Sequence, residues 1–185
     1  MRHALVAPGN AAPRQEPAVE LSVDQDNRIV RVNAAWDEFA LDNDGAALAN
    51  EAVLGVNLLD SISGRVSKNF TWTILELART REREIVFDYR CDSPRVRRFM
   101  RAHVHADSTG AVHYCHQHLS SESFPHLVAF KTATQRGRDI LMRCSICNHV
   151  RHDGLWRTPD SCAGGALLEV IYGVCPSCEQ MLKEC

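Results

Sequence analysis

The sequence has no apolar run approaching the roughly 20 residues that a membrane-spanning helix requires. Its first residues, Met1 to Pro17, offer only the short run Ala4 to Ala7 before Pro8 and Gly9. That is too short for the apolar region of a signal peptide, so the expected compartment is the cytoplasm, where thiols stay reduced. An excess of charge of either sign is also missing. The 21 Lys and Arg against 23 Asp and Glu leave a formal charge of −2 and a pI near 6.5. Neither nucleic acid nor an anionic membrane is therefore expected as a partner. The small basic cluster Arg95, Arg97, Arg98 and Arg101 reads as a solvated strand edge. There is no kinase catalytic motif, no phosphate-cradling glycine loop and no phosphoacceptor-helix signature. No spacing places a nucleophile beside a base, so the chain is not expected to be an enzyme.

What is present is an ordinary globular composition, 45% hydrophobic and 24% charged over 185 residues, with eight cysteines. In a reducing compartment that many thiols argue for metal or redox chemistry rather than a disulfide framework. Residues 1–17 are rich in Ala, Pro and Gly and read as a loosely tethered arm. From Val19 the pattern alternates apolar and polar through Asp26-Asn27, a β-hairpin signature. Asn33 can cap a short helix carrying Trp36 and Phe39, and one or two further turns are expected around Val53 and Leu58, broken near Gly55. The strongest helix runs from Ser67, as its cap, to Arg81, with Phe70, Ile74, Leu75 and Ala78 as its apolar stripe. Three strands follow, Ile85 to Cys91, Arg98 to Ala106 and Ala111 to Ser120. Residues 121–139 read as a linker to a second module at 140–185.

Two strands, short helices and three strands make an α+β layout for residues 18–120. The segment Leu21 to Trp36, with Asn33 at the helix start, resembles the opening of a PAS domain. Val53 to Asp60, Tyr89 to Pro94 and Arg98-Phe99-Met100 are similar to later stretches of that family. The resemblance implies a five-stranded antiparallel sheet with short helices, a sensory or protein-interaction role, frequent dimerisation and a cavity between sheet and helices. It leaves the cavity ligand unknown, since relatives hold flavin, haem, a small metabolite or nothing. Leu58 follows Gly55-Val56-Asn57 where the light-sensing flavin branch has its reactive cysteine, which argues against such a photoadduct. The helical segment 37–81 contains no histidine, which weakens a haem reading.

His103, His105, His113, Cys115, His116 and His118 crowd into the last two of these strands. Alternation places His103, His105, His113 and Cys115 on the outer face, and His116 on the other face with Val112 and Tyr114. If His105 pairs with His113, then His103 lies opposite Cys115 and the four form a candidate second metal cluster. A one-residue slip abolishes it. The alternative is a row of polar residues at a solvent face or a dimer contact.

Cys144-Ser-Ile-Cys147 and Cys175-Pro-Ser-Cys178 are separated by 27 residues. Each C-x-x-C turn aims two thiolates at one point, and two turns supply the four soft ligands that zinc takes in a closed, structural site. Asp153-Gly154 can turn a hairpin between the pairs, and Cys175 to Cys178 open a helix whose N-terminus favours thiolate charge. The expected unit is a small treble-clef-like zinc module in which the metal contributes much of the folding energy. Cys144-Ser-x-Cys147, Val150-Arg151, Gly154-x-Trp156 and Gly173-Val174-Cys175-Pro176-x-Cys178 resemble a cysteine module found beside sensory domains in bacterial signalling proteins. Iron remains open at such a set, as do a thiol switch that releases metal on oxidation and ligation by His149 or His152. Cys91, Cys162 and Cys185 have no partner spacing and read as ordinary thiols. The sequence thus points to a non-enzymatic signalling protein acting through a protein partner or homodimer, or else to a redox or metal sensor whose detector is the cysteine module.

Overall fold

The computed structural model describes residues 17–42, 45–62, 64–81, 83–135, 137, 139–163 and 167–184. The expected N-terminal arm, Pro17 excepted, lies outside these residues, as does Cys185.

Strands β1 (Val19–Val23) and β2 (Ile29–Val32) form the expected hairpin. Asp24 Oδ1 accepts the backbone N–H groups of Asp26 and Arg28, which tightens the turn, and Asn27 takes the left-handed conformation (φ 61°) that asparagine tolerates. Helix α1 (Ala34–Asp42) is capped by Asn33, whose Oδ1 accepts the Trp36 N–H at 3.0 Å. Its amide also ties the helix to β1, taking the Glu20 N–H at 3.1 Å and donating to the Ala18 carbonyl at 2.8 Å. A 3-10 turn at Asn50–Val53 stands where further helical turns were expected, another at Ala46–Leu48 lies ahead of that region, and no helix forms around Leu58.

Helix α2 (Arg65–Thr80) starts three residues earlier than its sequence pattern indicates, capped at Gly64 rather than Ser67. Gly64 has φ +84°, and a Cβ there would meet the Tyr172 ring at 3.3 Å, so the start is a backbone turn only glycine accepts comfortably. Ser67 is not a cap because its hydroxyl donates to Ser145 Oγ at 2.9 Å, a contact 78 residues away in sequence.

Strands β3 (Ile85–Arg90), β4 (Val96–Ala106) and β5 (Val112–Ser123) complete a five-stranded antiparallel sheet of order β2-β1-β5-β4-β3. This is the layout that the PAS resemblance implies. Helix α2 lays Ile74, Leu75 and Ala78 against one face of the sheet, where they join Val23, Phe87, Val104, Val112 and Tyr114 in one buried cluster. Each fully buried Ile or Leu there contributes about 2–3 kcal/mol.

The segment expected to be a linker is part of the structure. It carries the end of β5 and strand β6 (Ala129–Thr132). Phe124 and Val128 are buried with Leu168 and Val170, and their N–H groups donate to Arg95 and Pro94 carbonyls on the first sheet. After β7 (Leu141–Cys144) come the short strands β8 (Val150–His152) and β9 (Leu155–Arg157), turning through Asp153 and Gly154 at φ 49° and 79°. A four-residue helix, α3 (Asp160–Ala163), precedes β10 (Leu167–Gly173), and α4 (Pro176–Glu184) closes the described chain. Cysteine turn, hairpin, cysteine turn and helix follow one another in the expected chain order. What the sequence pattern does not convey is a second five-stranded sheet, β6-β10-β7-β8-β9, in which β10 runs parallel to both β6 and β7. The basic cluster is also more than a solvated edge. Arg97 pairs with Glu122 at 3.0 Å and Asp160 at 2.8 Å, which fastens α3 to β4.

Candidate metal centre

Cys144 ends β7, Cys147 lies in the turn after it, and Cys175 and Cys178 sit at the start of α4. The four Sγ atoms all lie within 4.8 Å of one another. Cys144, Cys175 and Cys178 are buried and Cys147 is half-buried. Among the described residues no other group of three or more His, Cys, Asp or Glu ligand atoms gathers in this way. A tetrahedron with metal–sulfur bonds of about 2.3 Å has edges of about 3.8 Å. The Cys147–Cys175 sulfurs stand 3.6 Å apart, which fits such an edge and is far too long for a disulfide. The set can therefore hold a metal ion.

The local backbone supports thiolate charge. The Cys175 N–H donates to Cys144 Sγ at 3.4 Å, and α4 presents its N-terminus to the centre. Hydrogen bonds from Cys147 and then Cys178 hold the Cys144 thiol well below its usual range, and the same contacts push Cys147 and Cys178 up. A divalent cation favours the thiolate form of its sulfur ligands. His149 is not one of the converging groups. Its Nδ1 lies 3.2 Å from Cys147 Sγ, placing the ring beside a ligand rather than in its stead. His152 turns to Asp153 at 3.2 Å.

The centre is mounted on the first sheet through the turn between its first two cysteines. The Ile146 carbonyl accepts the Arg90 N–H at 2.8 Å, and Ile146 is 1% exposed, packed in one cluster with Phe70, Tyr89 and Met181. Asn148, in the left-handed region at φ 60°, donates to Asp92 Oδ2 at 3.0 Å and accepts from Arg143 at 2.8 Å. Asp92 in turn holds Arg90 in a buried, two-pronged ion pair.

The histidine hairpin has the expected register, His105 opposite His113 and His103 opposite Cys115. Its donors are nevertheless not drawn to a common point. His103 Nδ1 bonds Glu84 at 3.1 Å, and His113 is held at both nitrogens, by Ser22 at 2.9 Å and Asp107 at 3.1 Å. The His105 and His113 rings pack at 5.1 Å. His103 and His113 are thus engaged by neighbours, and among the described residues the four do not gather as ligand atoms around one point.

A cavity of about 180 Å³ lies between β1, β3, β5, α2 and the first cysteine turn. His116, to which the sequence reading gave no role, lines it half-buried, its Nδ1 2.8 Å from the Tyr89 hydroxyl and its ring stacked on Tyr114. Alternation had already set His116 beside Val112 and Tyr114; that was the available signal. Tyr89 and His116 also line a second cavity of about 240 Å³ beneath α1, next to Trp36, Phe39 and Met100. Burial pushes the His116 pKa down to about 4 and the phenols of Tyr89 and Tyr114 up. A half-buried imidazole held neutral gives stability that is complete above the ordinary histidine value of about 6.5. As pH falls from there toward about 4, the unfolded chain takes the proton first and about 3 kcal/mol is lost. Denaturant titrations at pH 7.5 and 4.5 should therefore show a smaller acid loss for His116→Phe than for the parent chain. Equal losses would contradict the assignment.

No known protein family matches the chain, and no curated protein matches it. Among solved structures, a sensory box sensor histidine kinase from Vibrio cholerae is similar over 57% of this chain and 85% of its own, at 16% identity and a TM-score of 0.42. The description of the fold rests on the sheet order and register given above. No helix among the described residues is long and apolar enough to cross a membrane.

Proposed function

We propose that the chain is a non-enzymatic signalling protein. In this reading a PAS-type sensor domain is joined to a zinc-stabilised module that passes the signal to a protein partner or to a second copy of the chain. The observation that carries it is the convergence of Cys144, Cys147, Cys175 and Cys178 into a mostly buried set mounted directly on the cavity-bearing sheet. Four thiolates fill the tetrahedral shell that zinc prefers and leave no open position, so the ion stabilises structure rather than activating water. The near-neutral charge and reduced thiols fit a cytoplasmic protein whose partner is neither nucleic acid nor membrane.

The half-buried position of Cys147 favours one second reading, a thiol or metal sensor in which this sulfur meets the oxidant first. Elemental analysis with an absorption spectrum separates the two. One zinc per chain and no visible band is the expected result. A visible iron–thiolate band, or zinc released stoichiometrically by mild peroxide with formation of a disulfide, would favour the sensor instead.

A further inference from the structure

The cavity of about 180 Å³ is closed on one side by the cysteine module itself, since Ser145 and Ile146, the two residues between Cys144 and Cys147, lie in its lining. Among the described residues no charged side chain lines it. Its polar groups are almost all satisfied within the protein. Tyr89 and His116 bond each other, the Ser145 hydroxyl accepts from Ser67, and Thr71 donates to the Ser67 carbonyl at 3.2 Å. The exception is Tyr114, whose hydroxyl is buried with no hydrogen-bond partner among the described residues. A buried hydroxyl without a partner is costly, and such groups are rare. A dry apolar cavity of about 150 Å³ accommodates a single benzene ring.

We propose that this cavity binds a small, neutral, largely apolar ring compound carrying one hydrogen-bonding atom, and that its binding is coupled to metal loading of the four cysteines. The ligand class follows from the lining: no ionic partner, aromatic and aliphatic walls from Phe70, Phe87, Ile74 and Ile146, and one phenol awaiting a partner. The coupling follows from the shared turn. Metal at Cys144 and Cys147 fixes the backbone of Ser145 and Ile146, and the Ile146 carbonyl and side chain are held by β3 and α2. A ligand resting on that wall favours the metal-bound arrangement, and reciprocity requires the metal to favour the ligand by the same factor. The coupling rests on reading the cysteines as a metal centre.

The test uses the purified full chain with its native metal content, and indole and p-cresol as probes. Calorimetry should show indole or p-cresol binding, weakened about fivefold in Tyr114→Phe, which keeps the ring and removes the hydroxyl. In a graded chelator titration, saturating probe should shift the midpoint of zinc release by about fivefold or more. Failure of both probes to bind, or equal binding by Tyr114→Phe, overturns the ligand assignment. Binding with an unmoved chelator midpoint overturns the coupling and leaves the metal centre standing. A chain that purifies without metal, seen before any probe is added, overturns the reading of the cysteines instead.

Discussion

Replacing Cys144 with serine is expected to unfold the C-terminal module while leaving the first sheet intact. Cys144 is fully buried, ends β7 and receives the Cys175 N–H, so it joins the two cysteine turns by backbone as well as by sulfur. The buried apolar groups of the second sheet and its flanks are few: Phe124, Val128, Leu168 and Val170 at one end, Ile146 with the cysteines at the other, and Val150 on β8. A core that small does not offset the conformational entropy of about 1–2 kcal/mol per ordered residue. Metal binding to four-ligand modules supplies on the order of 10 kcal/mol, and losing one thiolate removes most of it. Hydrogen exchange should show rapid labelling of the amides of β7, β8 and β10 in the variant. Leu75, Ile85, Ala102 and Val104, which lie in the core of the first domain, should stay protected. Retained protection in the second sheet would mean that the module folds without its ion.

Asp92→Ala is expected to be the most damaging substitution outside the metal centre. The Asp92 and Arg90 side chains are 4% and 6% exposed. The carboxylate binds the Arg90 guanidinium with both oxygens, accepts the Arg98 N–H at 3.1 Å and takes the Asn148 amide at 3.0 Å. Alanine strips a buried cation of its counter-ion and takes an acceptor from the Arg98 N–H and from the Asn148 amide, which keeps only its 3.4 Å bond to the Arg90 carbonyl. Removing one member of a buried pair costs about 3–5 kcal/mol. For a chain of this length that is a fall in melting temperature of roughly 10 °C. Because Asn148 follows Cys147, the loss should also loosen the cysteine turn, seen as faster zinc release to a chelator. The double substitution Arg90→Met, Asp92→Leu removes both charges together and should recover part of the stability. A melting temperature unchanged in Asp92→Ala would show that the pair does not join sheet and module as described.

The features legible in the sequence are those written in short-range patterns. Each C-x-x-C turn carries its own geometry, and two of them at the right types and spacing announce a common site. The register of β4 and β5 follows from the compact turn at Asp107 to Gly110. The polarity of His103, His105 and His113 was equally plain, but a register does not say where lone pairs go. Glu84, Ser22 and Asp107 settle that, and two of these three come from elsewhere in the chain.

The features that were not legible are long-range ones. Strand β6 is four residues long and is stabilised by β10, some forty residues further on, so its own sequence shows no sustained period. Ser67 has the chemistry of a cap but is the third residue of α2, and Ser145 accepts its hydroxyl. Helices α1 and α2 carry no histidine. The one that lines the cavities, His116, is instead on β5, where strand alternation makes its face clear but cannot show that Tyr89 completes its hydrogen bonding.

The central claim is that Cys144, Cys147, Cys175 and Cys178 together hold one structural zinc ion. X-ray absorption at the zinc edge of the purified chain tests it most directly. The account predicts four sulfur scatterers at about 2.3 Å and no nitrogen or oxygen neighbour. A shell containing nitrogen from His149, an open position filled by water, or no bound zinc at all would contradict it.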